Sequence, residues 1–466
     1  MHTFETRVQE LKHDVLREVA NLAWEDKSPT AILDIAEKII PGPNATMRCC
    51  IYKERAIIDS RVKLAMGGDK TNPNLVEVLN IACDECPVTE MTVGPACRGC
   101  IATRCVHACP VDAIVVVNHR AQIDHDKCIV CGKCLTACPY GAITKNLRPC
   151  EKGCPVGAIS MGKDKKADID HNKCISCGTC TNQCPFGAIM DKSYILEAID
   201  LLKGAKRWDY KVYAMVAPSI AGQFEGVSLE QVAAGLKKLG FGAVCEAAEG
   251  ADMVADHESA ELCECGTLAS SCCPAFVEYV EKNFPDQAGM ISKTPSPMVM
   301  MARHVKDRDP AAKVVFIGPC IAKKKEAQLG KTMGSVDCVL TFEELDALFD
   351  SKKIDLAALK GEDLEGASGY GRSFAVSGGV SAAVARAMKE RGETSLPLKA
   401  VPCSGIEACK IAFLKMAKGM GDGNFIEGMA CEGGCVQGPA NLIRSPKNKM
   451  ELEKHAKLSP KKDILK

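Results

Sequence analysis

"IDHDKCIVCGKCLTACPYGAI", residues 123–143, decides the fold of the first half of this chain. Its spacing is Cys128-x2-Cys131-x2-Cys134-x3-Cys138-Pro139. A tight loop with this spacing lets three thiolates reach one cuboidal iron–sulfur cluster, while the fourth stands at a helix start and reaches a neighbouring cluster. The run returns as Cys174-x2-Cys177-x2-Cys180-x3-Cys184-Pro185. A looser variant, Cys97-x2-Cys100-x4-Cys105-x3-Cys109-Pro110, precedes it. Four copies of Cys-Pro-x-x-Ala-Ile, starting at 109, 138, 154 and 184, predict two tandem modules with internal pseudo-symmetry.

The crossed rule assigns ligands. Cys97, Cys100, Cys105 and Cys138 make one set, and Cys128, Cys131, Cys134 and Cys109 a second. Cys174, Cys177, Cys180 and Cys154 make a third. Cys150 and Cys184 are left over, because "RPCEKGCP" has Thr144 and Leu147 where two ligands are due. "CDEC", with Cys83 and Cys86, completes a fourth set as a hypothesis, so the expectation is three to four [4Fe–4S] clusters. Four repeats of this form argue against zinc.

The wider composition agrees. The chain has 29 cysteines in 466 residues, and its opening has neither the apolar run nor the cleavage pattern of a secretory signal. Cysteine without secretion favours clusters over disulfides and a reducing, cytoplasmic setting. Lys+Arg 59 balance Asp+Glu 59 and aromatics are 5%, which gives no sign of a nucleic-acid partner. No apolar run is long enough to span a membrane. Val8, Leu11, Val15, Leu16, Val19 and Leu22 recur at helical spacing, so residues 1–80 read as a helical region, with Cys49 and Cys50 as small buried residues or ligands. Residues 81–195 form the iron–sulfur domain, of α+β type.

From Lys211 the texture becomes α/β. Apolar runs at 211–217, 313–318, 337–342, 373–378 and 398–403 predict strands, and 228–239 and 379–390 predict crossover helices. This gives one domain, 196–466, of mostly parallel sheet with helices. Three cysteine-bearing stretches, "SSCCPAF" (270–276), "GPCIAKKKE" (318–326) and "EGMACEGGC" (427–435), fall near strand ends, where α/β folds place their sites. One cysteine from each of the first two, with Cys431 and Cys435, makes the four thiolates a cubane needs.

These three stretches, in this order, resemble the signature motifs of the [FeFe]-hydrogenases, in a divergent, group B-like form, and the ferredoxin-like modules fit the same family. The resemblance covers roughly residues 83–440. It implies two lobes of parallel sheet and an H-cluster, a [4Fe–4S] cubane joined to a two-iron unit that carries carbon monoxide, cyanide and an azadithiolate. Cys273, Cys320, Cys431 and Cys435 would hold the cubane, and Cys435 would bridge to the two-iron unit. Cys272 would carry protons through Glu258, Ser296 and Glu261. Lys323, paired with Glu326, would donate to a cyanide, and Met429, Ala217 and Pro218 would pack around the two-iron unit. The implied reaction is the reversible reduction of two protons to dihydrogen. Ferredoxin or a similar carrier, and maturation factors for the two-iron unit, are the implied partners. The alternative is a non-catalytic relative, an assembly scaffold or a hydrogen sensor. Phe276 stands where the family usually has tryptophan, and Gly318, where methionine is usual, is expected to open space.

Overall fold

A computed structural model describes residues 4–26, 29–362, 364, 366–393 and 395–465. Each Cys-Pro-x-x-Ala-Ile unit is a turn that launches a strand on its isoleucine: Ile114–Val117, Ile143–Asn146, Ile159–Met161 and Ile189–Asp191. The residue before the alanine has positive φ in all four: Asp112 at 48°, Gly141 at 59°, Gly157 at 60° and Gly187 at 57°. Glycine takes this conformation without strain, and aspartate tolerates it better than most residues. The turn aims the next N–H back at the thiol, so Ala113, Ala158 and Ala188 donate to Cys109, Cys154 and Cys184 Sγ at 3.2 Å. The alanines and isoleucines of all four units are buried.

Antiparallel pairing then closes two modules. Glu90–Val93 pairs with Ile143–Asn146, and Ile114–Val117 with Arg120–Ile123. Val76–Val78 pairs with Ile189–Asp191, and Ile159–Met161 with Ala167–Ile169. The strand Val76–Val78 closes the otherwise mostly helical stretch of residues 1–80. At three residues it is too short to show a period, and it is fixed by its partner rather than by its own pattern.

The helix Arg7–Trp24 starts at a capping box between Thr6 and Gln9 and buries Leu11, Val15, Leu16 and Val19. It packs on the helix Phe342–Ser351 of the α/β part. His13 joins them, 3.2 Å from Asp346 and 2.9 Å from Asp350. Cys49 and Cys50 are exposed, not buried. Cys50 precedes the helix Ile51–Ala65 as its N-cap.

The α/β part has two parallel sheets. One runs in the order Ala243–Glu246, Val212–Val216, Lys313–Gly318, Cys338–Thr341. The other centres Phe425–Met429 between Leu268–Ala269 and Ala400–Ser404. The expected strand over 373–378 does not form. Ser373–Ala375 is a single 3-10 turn, because Glu427 takes the N–H groups of Gly378 and Ser381 at 2.6 and 2.9 Å, and Gly378 turns at φ 92°. Among the described residues no helix is long and apolar enough to cross a membrane.

Candidate active site

The two sheets point their C-terminal ends at one cavity of about 100 Å³. Val212–Val216 delivers Ala217 and Pro218 to its wall, and Lys313–Gly318 delivers Cys320. Phe425–Met429 delivers Met429 and then Cys431, and the loop after Leu268–Ala269 delivers Cys272 and Cys273. Gly433 and Gly434, at φ 83° and 94°, fold the third motif back so that Cys435 also faces the cavity. A Cβ on Gly434 would lie 2.6 Å from the Ala375 carbonyl oxygen, so this turn needs glycine.

The four thiols expected to hold a cubane sense one another. Burial raises Cys320, and the charges of Cys273 and Cys435 raise it further. Burial raises Cys431, with contributions from Cys435, Cys320 and Cys273. Cys435 is pushed up to about 12 by burial and by Cys273. Such a crowded, dry set keeps its protons until a cationic centre replaces them. Among the described residues no three His, Cys, Asp or Glu side chains converge closely enough for a single metal ion.

The accessory cysteines gather in groups. Cys97, Cys100, Cys105 and Cys138 line one pocket. Cys134 is raised by burial, then by Cys128 and Cys131, while Cys109 packs in the same small core. Cys180 is raised by burial, then by Cys177, Cys174 and Cys154. Cys83, Cys86, Cys150 and Cys184 also come together: Cys150 is pushed up to about 11 by burial and by Cys184 and Cys83, and Cys86 rises for the same reasons. Cys177 lines the main cavity as well, so the third set abuts it.

Cys272 lies on the cavity wall, and its thiol is held well above the usual range by burial, then by the nearby Glu258 and by Cys273 and Cys435. Glu258 is fully buried. Its Oε1 accepts from the Ser271 N–H at 3.0 Å and the Ser271 hydroxyl at 3.3 Å. Burial raises its carboxyl to about 7. Ser292 lies beside Glu258, whose Oε2 is buried with no hydrogen-bond partner among the described residues, and donates to Glu261 Oε2 at 2.6 Å. Glu261 is partly exposed and also accepts from the Lys293 N–H at 3.0 Å.

Ser296 is therefore not between the glutamates. It is the N-cap of the helix Pro297–Arg308, and its hydroxyl accepts from Lys323 Nζ at 2.8 Å. The Ser-Pro pair at 296–297 carries that signal in the sequence, since serine before proline at the first helical position marks an N-cap. Lys323 lines the cavity, with its ammonium 2.6 Å from Glu326 and 3.1 Å from the Cys272 carbonyl oxygen. Burial works against that charge, but Glu326 outweighs it and the Lys323 pKa is raised. Gly318 opens no space. A Cβ there would meet the Phe316 ring at 2.7 Å, and Phe316 itself lines the cavity. Phe276 is fully buried against Phe413 and Gly428.

Comparison with known proteins follows this geometry. The C-terminal domain of the iron only hydrogenase large subunit matches residues 210–439. A 4Fe-4S binding domain matches 121–144, and the LdpA Fe-S cluster-binding domain matches 145–195. The periplasmic [Fe] hydrogenase large subunit of Nitratidesulfovibrio vulgaris is 32% identical over 378 residues, covering 69% of this chain and 86% of that protein. Iron hydrogenase 1 of Clostridium pasteurianum is 29% identical over 406 residues, covering 74% of this chain and 70% of that protein. The cytosolic Fe-S cluster assembly factor NAR1 of Kluyveromyces lactis is 36% identical over 90 residues, 19% of each chain.

Proposed function

This chain belongs to the iron-only hydrogenase family, and from that premise we propose that it interconverts protons and electrons with dihydrogen at the cavity between its two parallel sheets. Cys273, Cys320, Cys431 and Cys435 would hold the H-cluster, whose two-iron unit supplies the heterolytic chemistry of dihydrogen when bound. Cys272 would load and unload the proton at its Sγ. Glu258, Ser292 and Glu261 would carry that proton to the partly exposed end of the chain. Lys323 would hold a positive charge against the anionic ligands of the cluster. The accessory sets would pass electrons one at a time through the third set, which abuts the cavity, to or from ferredoxin or a similar carrier.

One observation carries this reading: a thiol outside the cubane set, Cys272, lines the cavity beside a buried carboxylate with a raised pKa. A glutamic acid at about 7 exchanges protons near neutral pH in both directions. The second reading, a non-catalytic iron–sulfur protein, is favoured by the 90-residue likeness to the assembly factor. A scaffold has no use for a proton-carrying thiol at its cluster. Infrared spectra of the maturated protein decide between the two. Bands of iron-bound carbon monoxide and cyanide are expected, and their absence after maturation would leave the scaffold.

The meeting of Cys83, Cys86, Cys150 and Cys184 supports a reading with four accessory clusters. Cys150→Ser should remove about four irons per chain, measured on the full-length protein. An unchanged iron content would leave three accessory clusters.

A further inference from the structure

Among the described residues, six lysine and arginine side chains are buried: Arg61, Arg148, Lys192, Lys323, Lys324 and Arg372. Four of them sit on carboxylates. Lys192 meets Glu77 at 3.2 Å, Lys323 meets Glu326 at 2.6 Å, Lys324 meets Asp191 at 2.9 Å and Arg372 meets Glu246 at 2.6 Å. Arg61 and Arg148, at 2% and 3% exposure, have backbone carbonyls instead. Arg61 Nη2 donates to the Phe186 and Gly187 carbonyl oxygens at 3.4 and 3.3 Å, and its Nε and Nη1 have no hydrogen-bond partner among the described residues. Arg148 Nε donates to the Pro87 carbonyl oxygen at 3.3 Å, and Nη2 to that of Lys165 at 2.6 Å. A buried cation without a counter-charge is costly, so both guanidiniums require an anion that no carboxylate supplies.

Both border the fourth cysteine set. Arg148 Nη1 donates to Cys83 Sγ at 3.8 Å, and among the described residues no other charged side chain donates to a thiol. The two carbonyls that Arg61 holds belong to the turn after Cys184, whose thiol takes the Ala188 N–H at 3.2 Å. Cys83, Cys150 and Cys184 share one core, and Cys154 and Cys180 of the third set pack against it. Arg48 also comes near, over the Phe186 ring at 4.9 Å, but Asp84 and Glu85 hold it at 3.3 and 3.1 Å. Glu151, next to Cys150, is half-buried and accepts from the Thr89 hydroxyl at 2.5 Å and the Arg148 N–H at 3.3 Å. An iron–sulfur group on four thiolates is anionic, so these residues fit it.

We propose that Arg61 and Arg148 raise the reduction potential of the fourth accessory cluster, so that it is the first accessory cluster to take an electron and holds it beside the third. This rests on the reading with four accessory clusters. One electron from the carrier adds one negative charge to a site that is already anionic; no bond forms or breaks. Burial opposes that added charge, and Glu151 opposes it further. Two buried guanidiniums that no carboxylate neutralises favour it, and one of them hydrogen-bonds a ligand sulfur. No buried lysine or arginine lies between residues 97 and 138, where the first two sets are built.

The full-length, iron-loaded protein is titrated anaerobically with dithionite and mediator dyes, and the reduced clusters are followed by electron paramagnetic resonance. The signal that Cys150→Ser removes belongs to the fourth cluster. It should be the first accessory signal to grow. In Arg148→Gln the ratio of reduced to oxidised fourth cluster at a fixed potential should fall about tenfold, ~59 mV for one electron, with iron content and the other signals unchanged. Arg148→Lys keeps the charge and should stay close to the natural protein. Arg61→Met should move the same signal in the same direction as Arg148→Gln. A full iron content with an unmoved midpoint in Arg148→Gln and Arg61→Met would overturn the assignment and leave the arginines as packing. An iron content of the natural protein that fits three accessory clusters would instead remove the fourth cluster, and the proposal with it. Loss of about four irons from both Arg148 variants would give this arginine a part in holding the cluster, which also overturns the assignment.

Discussion

Replacing Cys272 with alanine should leave every iron in place and reduce hydrogen turnover by about 10²- to 10⁴-fold, the range a positioned acid–base group contributes. The thiol lines the cavity but stands outside the four that crowd around the cubane position, so no ligand is lost. Cys273→Ala should instead lose the cubane, because that thiol's charge is felt by Cys320, Cys431 and Cys435 alike. The infrared and iron analyses separate the two variants, and identical behaviour would end this division of labour. Glu258→Gln adds a control with a sign. The raised carboxyl binds a proton in the folded state at pH values where the unfolded chain has released it. Stability therefore falls as pH rises from about 4 to about 7, and the glutamine variant should lose that fall. Its turnover should drop with that of Cys272→Ala, since both sit in one path, and the double variant should be little worse than either single.

The iron–sulfur modules were legible in the sequence because their code is local. A proline and a residue able to take positive φ fall within six residues in all four copies of the unit, and in three of them the alanine N–H is aimed at the preceding thiol. Strand runs such as 313–318 were legible from burial alone. Three features were not, and each is decided by a partner far along the chain. The apolar run 373–378 has strand composition, but Glu427 caps the helix that follows and bends the run away. Ser292 and Ser296 lie four apart, and only the distant helix Ala247–Cys265 determines which one faces the two glutamates. Gly318 suggests a gap that Phe316, on the same strand, fills. The lysine run 323–325 is the sharpest instance. Successive residues on a helix point about 100° apart, so three identical side chains enter three surroundings. Lys323 faces the cavity, Lys325 pairs with Glu278 near the surface, and Lys324 turns into the core.

Lys324→Met should be the most destabilising single change outside the cysteines. Lys324 is 0% exposed, and its ammonium lies 2.9 Å from Asp191, 3.0 Å from Glu344 and 2.7 Å from the Lys192 carbonyl oxygen. Asp191 also meets Lys12 at 2.7 Å, and Lys12 meets Glu343 at 2.5 Å. Four segments are joined in this way: the helix Arg7–Trp24, the last strand of the second iron–sulfur module, the lysine helix Ala322–Glu326 and the helix Phe342–Ser351. Removing this cation leaves Asp191 with Lys12 alone and Glu344 with only neutral donors, the Ser193 hydroxyl and the Tyr194 and Thr341 N–H groups, which costs about 3–5 kcal/mol. The temperature at which the clusters bleach should drop on the order of 10 °C, and electron transfer between module and cavity should weaken first. Lys324→Met with Asp191→Asn should recover part of the loss, because the buried carboxylate that has lost one of its two cations is then neutral. The pH window follows from the signs. Burial opposes the Asp191 charge, but Lys12 and Lys324 outweigh it and hold the carboxyl below the usual range. Its contribution is present above about pH 4 and is lost as pH falls through the depressed value. Burial likewise opposes Lys324 and Lys12, yet their carboxylates hold both ammonium groups above the usual range. Their contribution is present below about pH 10 and is lost as pH rises through the raised values. Between those limits the Lys324→Met deficit should shrink toward the acid end, because a buried carboxylate that has lost its cation takes up a proton more readily. A bleaching temperature equal to that of the natural protein across that window would show that the network carries no net stability.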